Sequence, residues 1–99
     1  MEHPPVAAPP PSPEEAFGQA LRARREARGL SQEALALESG YHPTYISLLE
    51  RGKKSPSLGA LFRLAAILAT PPSELVREAE MAAGEPGARA SWRHRPKPD

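Results

Sequence analysis

The chain has 99 residues, with 13 lysines and arginines against 12 aspartates and glutamates and a formal net charge of +1, so it has room for one small core and lacks the excess of basic residues typical of a strong nucleic-acid binder. It has no cysteine, which excludes a disulfide framework and thiolate metal ligation and suits a reducing interior. No apolar run approaches the roughly 18–20 residues needed to span a bilayer, and no charged-then-apolar leader precedes a cleavage site; cytoplasmic residence without a membrane partner is the expectation.

Residues 1–13, MEHPPVAAPPPSP, hold six prolines and almost nothing that could build a core, which predicts a disordered or polyproline-II-like arm. A first helix is expected from about Ser12–Glu14 to Arg28–Gly29, with Ser12 as cap, Pro13 in the first turn and Glu14 and Glu15 at the positive end of the helix dipole. Phe17, Ala20 and Leu21 form its apolar stripe, and Arg25 falls on the edge of that stripe one turn later. An inward-facing arginine needs a partner, and Glu50 is the candidate. A second helix follows Ser31, another cap residue, and stops at Ser39-Gly40; Leu30 and Leu35 are placed to clasp across its entry.

A third helix begins at His42 and Pro43 and runs to Arg51 before Gly52. At 3.6 residues per turn, Ile46, Leu49 and Glu50 share one face; Thr44, Leu48 and Arg51 point away from it, with Tyr45 and Ser47 on the flanks. Lys53 to Pro56 read as a loop, and Ser57 caps a fourth helix whose core stripe is Leu58, Leu61, Phe62, Ala65, Leu68 and Ala69. Leu64 and Ile67 lie off that stripe. A fifth helix over about 71–83 carries Leu75, Val76, Ala79 and Met81 on more than one face, with Met81 filling a gap. Leu64, Ile67, Leu75, Val76 and Ala79 are therefore the expected dimer surface. From Gly84 the sequence returns to Gly, Pro and charge, and a disordered basic tail is expected over 84–99. The division is an arm (1–13), one all-α domain (14–83) and a tail (84–99).

Two short helices joined by a glycine-containing turn make a helix-turn-helix, and the outward face of the second fits the major groove of B-DNA. Arg22, Arg24, Arg25 and Arg28 late in the first helix and Arg51, Lys53 and Lys54 after the third form an expected phosphate-facing rim. Catalysis is not expected. His3, His42 and His94 have no metal-ligand spacing, and no phosphate loop, nucleophile elbow or paired carboxylates appear, so neither metal nor cofactor is predicted.

Leu30-Ser31-Gln32-Glu33-Ala34-Leu35-Ala36, Gly40, Tyr45-Ile46-Ser47, Leu49-Glu50-Arg51-Gly52-Lys53 and Pro56-Ser57-Leu58 together resemble the Cro/CI-type helix-turn-helix family, with a narrower similarity to small controller proteins. The resemblance covers about residues 14–80. It implies a five-helix lambda-repressor-like domain that binds an operator as a homodimer, with an Arg25–Glu50 pair fixing the recognition helix and Gln32 clamping a phosphate. His42, Pro43, Thr44, Tyr45, Ser47 and Leu48 would face the DNA, with Pro43 and Leu48 standing where relatives often carry polar base readers. Duplex DNA and a second copy are the implied partners, with RNA polymerase or another regulatory protein as a further class. An antitoxin-like protein-binding module is the alternative.

Overall fold

Residues 9–84 are described by this computed structural model, and five helices occupy them: α1 (Pro13–Ala27), α2 (Gln32–Ser39), α3 (Pro43–Glu50), α4 (Leu58–Ile67) and α5 (Pro72–Ala82). There is no strand among the described residues. Residues 1–8 of the expected Pro-rich arm and 85–99 of the expected basic tail, with His3 and His94, lie outside that range.

Four of the five helices start on a side chain that accepts from the open N–H groups of the first turn. Ser12 Oγ accepts from the Glu15 N–H at 3.0 Å, while the Glu15 carboxylate accepts from the Ser12 N–H at 2.9 Å, a reciprocal capping box. Ser31 and Ser57 do the same for Ala34 and Ala60, each at 3.0 Å. The helix ends are as local in origin. At the end of α3, Gly52 N–H donates to the Leu49 carbonyl and Lys53 N–H to the Leu48 carbonyl, which requires the left-handed Gly52 at φ 70°. The same arrangement closes α4, but there the left-handed position is Ala69 at φ 52°.

The core joins Phe17 and Leu21 of α1, Leu35 and Ala36 of α2, Ile46 and Leu49 of α3, Leu64, Ala65 and Leu68 at the end of the chain's fourth helical segment, and Leu75 of α5. α1 is the central strut: it packs along α5 and against α3, while α2 bridges α3 and α4. The α1–α3 approach is unusually close because α1 carries Gly18. A Cβ there would lie 2.5 Å from the Glu50 carbonyl oxygen and would meet the Leu49 carbonyl as well. Arg24 of α1 is ion-paired with Glu78 of α5, its Nε donating at 2.8 Å. This bond holds the Glu78 carboxyl below the usual carboxylate range.

The fourth and fifth helices correct the sequence reading. Leu64 and Leu75 are fully buried and belong to the core, so neither can lie on a dimer surface. Leu58 and Phe62, expected inside, are 70% and 55% exposed. Ala65 and Leu68 of the expected stripe are buried and Leu61 is half-buried against the core, but Ala60 and Leu64 are buried beside them, so the inward face is turned from the expected one toward Leu64. Ala69 is exposed because the helix has already ended at Ile67. Met81 is 61% exposed and fills no gap. Ile67 and Ala79 are half-buried against the core, which leaves Val76 as the outward member of the expected set.

Two substitutions should move stability in opposite directions. Ala69→Gly removes a left-handed Cβ and should stabilise by about 1 kcal/mol; Gly18→Ala pushes a methyl into α3 backbone and should destabilise by about 1–3 kcal/mol. Thermal melts followed by circular dichroism check both, and a Gly18→Ala protein as stable as wild type would mean that the α1–α3 contact is looser than described.

Candidate nucleic-acid interface

Gly40, left-handed at φ 80°, ends α2, and the Tyr41 N–H folds back onto the Ala36 carbonyl at 3.1 Å. Two residues later α3 begins. His42 Nδ1 accepts from the Thr44 N–H at 3.0 Å, so the other ring nitrogen carries the proton and is the donor left over. Pro43 occupies the first turn, where its missing N–H costs nothing.

One face of α3 is then locked. Ile46 and Leu49 have no exposed surface. Beside them the Glu50 side chain is 3% exposed and its carboxylate is fully engaged: Oε2 accepts from Arg25 Nε at 2.6 Å, and Oε1 accepts from Arg25 Nη2 and from Gln32 Nε2, each at 3.0 Å. Arg25 also donates from Nη1 to the Leu30 carbonyl at 2.7 Å. Its guanidinium, held by Glu50, titrates even higher than usual. No buried side-chain nitrogen or oxygen is left without a partner among the described residues. The arginine expected to face inward thus meets the expected glutamate. Sequence reasoning missed that Gln32 joins them, leaving one of its amide hydrogens and its backbone N–H for an outside acceptor.

The opposite face is free of the core. Thr44 and Arg51 are exposed, and Ser47 and Leu48 are half-buried. Arg51 Nε donates to Ser47 Oγ at 3.2 Å. Tyr45 is less available than expected, since it packs against the core and its ring lies 4.9 Å from that of Tyr41. Burial, followed by the neighbouring Tyr41, raises the Tyr45 hydroxyl above its usual range. Arg63 of α4 lies over the Tyr41 ring, 5.7 Å from its centre, and donates to the Ser39 carbonyl at 3.1 Å. Ser39 is itself buried and donates to the Leu35 carbonyl at 2.8 Å, which nothing in its sequence position signalled.

The expected basic rim is smaller than the sequence suggested. Arg22, Arg24 and Arg25 are each matched to a carboxylate, on Glu26, Glu78 and Glu50. Arg28, Arg51, Lys53 and Lys54 are exposed and carry no carboxylate partner among the described residues. No group of acidic or histidine side chains that could hold a metal occurs among the described residues, and no helix there is long and apolar enough to cross a membrane.

The family model described as helix-turn-helix matches residues 21–75. The chain is 44% identical over 55 residues to the uncharacterized HTH-type transcriptional regulator y4dJ of Sinorhizobium fredii, covering 56% of this chain and 70% of that one. It is 39% identical over 61 residues to the control protein C.BamHI of Bacillus amyloliquefaciens, covering 61% and 75%. Among solved structures, the clp gene regulator ClgR of Corynebacterium glutamicum superposes with a TM-score of 0.74 at 35% identity over 79% of this chain and all of that one. The restriction-modification controller protein C.AhdI of Aeromonas hydrophila gives 0.60 at 46% identity, over 62% and 92%.

The two neighbouring arginines of α1 offer an internal comparison. Arg25→Ala leaves the Glu50 carboxylate buried with one donor and should cost about 3–5 kcal/mol, lowering the melting temperature by about 10 °C or more. Arg24→Ala opens a half-exposed pair and should cost much less. Equal melting temperatures for the two variants would contradict the role given to the buried network.

Proposed function

Because this chain belongs to the helix-turn-helix family, we propose that it is a transcriptional regulator that binds specific duplex DNA as a homodimer, laying the outward face of α3 in the major groove. The carrying observation is the sorting of α3 into a face fastened by Ile46, Leu49 and Glu50 and a face of Thr44, Ser47, Leu48 and Arg51 that nothing in the core covers. A short helix held by its back is what reading base edges requires. Thr44 supplies a small hydroxyl, Leu48 suits a thymine methyl, and His42 supplies a ring N–H near the helix start, while the Ser47 hydroxyl accepts from Arg51 on the same face. Gln32, at the N-terminus of α2, is placed to donate to a phosphate through its backbone N–H. Arg28, Lys53 and Lys54 supply the remaining backbone contacts. Work on duplex DNA would keep the protein in the cytoplasm, and folded residues 14–83 would be the working unit.

Dimerisation is proposed through the outer surfaces of α4 and α5 rather than the buried leucines. Leu58, Phe62 and Val76 are exposed there, beside an open apolar groove of about 360 Å³ lined by Phe17, Pro56, Leu61, Val76 and Ala79 among others. A two-fold dimer would read a pseudo-palindromic operator with half-sites about one helical turn apart. The alternative, an antitoxin-like module that binds a partner protein and autoregulates, draws on the apolar Leu48 and on Leu37, 84% exposed on α2, and predicts a stable complex with a second protein in addition to operator binding.

Fluorescence anisotropy with duplexes selected from a random pool tests the first reading. Affinity should fall steeply with salt, and Lys53→Ala with Lys54→Ala, which removes up to four phosphate contacts per dimer, should reduce the slope of log K against log salt by about 3.6; an unchanged slope would remove these lysines from the interface. Sedimentation should show a dimer at micromolar concentration and Val76→Asp should give a folded monomer. A wild-type monomer at that concentration would remove the operator symmetry.

A further inference from the structure

Arg51 stands apart from the other arginines that make hydrogen bonds. Arg22, Arg24, Arg25 and Arg77 donate to carboxylates on Glu26, Glu78, Glu50 and Glu74, and Arg63 donates to a backbone carbonyl. Arg51 has no acidic partner among the described residues; its one bond runs back four positions to the Ser47 hydroxyl, at 3.2 Å. Residues four apart on a helix are neighbours on one face. The tether therefore draws the side chain along the surface that carries Thr44 and Leu48, and away from the end of the helix where phosphates would be met.

The atom used by the tether matters as much as its direction. Ser47 takes only the Nε hydrogen, leaving Nη1 and Nη2 open, with one hydrogen of each on the far edge of the guanidinium. That edge presents two parallel donors in a plane, the match for the O6 and N7 acceptors that guanine shows in the major groove. Holding a long side chain in this pose before binding also lowers the entropy lost on contact. We propose that Arg51 reads a guanine by its terminal edge and that Ser47 is the positioning residue that aims it, so the hydroxyl at 47 acts through the arginine. This inference rests on the reading of α3 as the groove-facing helix and adds to it the base class recognised.

The test is selection of random duplexes by the full chain, followed by affinity measurements at a fixed salt concentration, for wild type, Arg51→Lys, Ser47→Ala and Ser47→Thr. Wild type should enrich a guanine at one position of each half-site. Arg51→Lys keeps the charge and loses the fork, so discrimination at that position should drop about tenfold or more while the other positions keep their preferences. Ser47→Ala should weaken the same position and Ser47→Thr, which keeps the hydroxyl, should restore it. If Arg51→Lys retains every wild-type preference, or if either alanine or lysine variant lowers affinity equally for all duplexes, Arg51 is a phosphate contact and the proposal is overturned. A wild-type chain that binds duplexes but enriches no guanine overturns the proposal alone. One that binds no duplex overturns the reading of α3 and this inference with it.

Discussion

The Glu50 carboxylate is the point on which the arrangement turns. It sits at the C-terminal end of α3 with almost no exposed surface and accepts three hydrogen bonds, two from Arg25 of α1 and one from Gln32 at the start of α2. A buried carboxylate is costly unless it is paired and its lone pairs are filled. Here both conditions are met by groups from α1 and α2, so α3 is positioned by the requirement that this one charge stay satisfied. Arg25 extends the constraint to the α1–α2 turn through its bond to the Leu30 carbonyl.

Close backbone packing reinforces the same geometry. Gly18 lets α1 lie against the last carbonyls of α3, and Gly52 has Glu15 of α1 so near that an added Cβ would meet its backbone at 2.7 Å. With its inner face and its C-terminus both fixed against α1, α3 has little freedom to rotate, and Thr44, Ser47, Leu48 and Arg51 stay outside the core. Charge is sorted in parallel. Carboxylates of the fold neutralise three arginines of α1, so a chain of net charge +1 still presents unmatched cations at Arg28, Arg51, Lys53 and Lys54. Overall charge would have hidden this, since a short-range pattern governs contact with a phosphate backbone in salt.

Much of this was legible in the sequence because its causes are local. Serine caps, Pro43 in a first turn and Gly40 and Gly52 at helix ends act within four residues, and the observed helices begin and end there. The Arg25–Glu50 pair was legible for a different reason: an arginine on the edge of an apolar stripe demands a counter-charge, and few acids lie on inward faces. α4 was misread because LGALFRLAAI is apolar nearly all round, so its period leaves the phase undetermined and the packing of α2 and α5 decides it. That placed Leu64 inside and Phe62 outside. Gly18 and Ser39 gave no signal, since a mid-helix glycine and a helix-terminal serine acquire meaning only from the backbone that approaches them. The participation of Gln32 in the buried network and the tether of Arg51 to Ser47 depend on side-chain directions that spacing alone leaves open.

The central claim is that the outward face of α3 is the surface that meets DNA. Its most direct test is a titration of the isotope-labelled chain with its selected duplex, followed by backbone amide shifts in nuclear magnetic resonance. The account predicts that the largest changes fall on Thr44, Ser47, Leu48 and Arg51, with smaller ones at Gln32, Lys53 and Lys54 and little change along the solvent face of α5. Changes concentrated on α5 or at the exposed Leu37, with α3 unmoved, would contradict it.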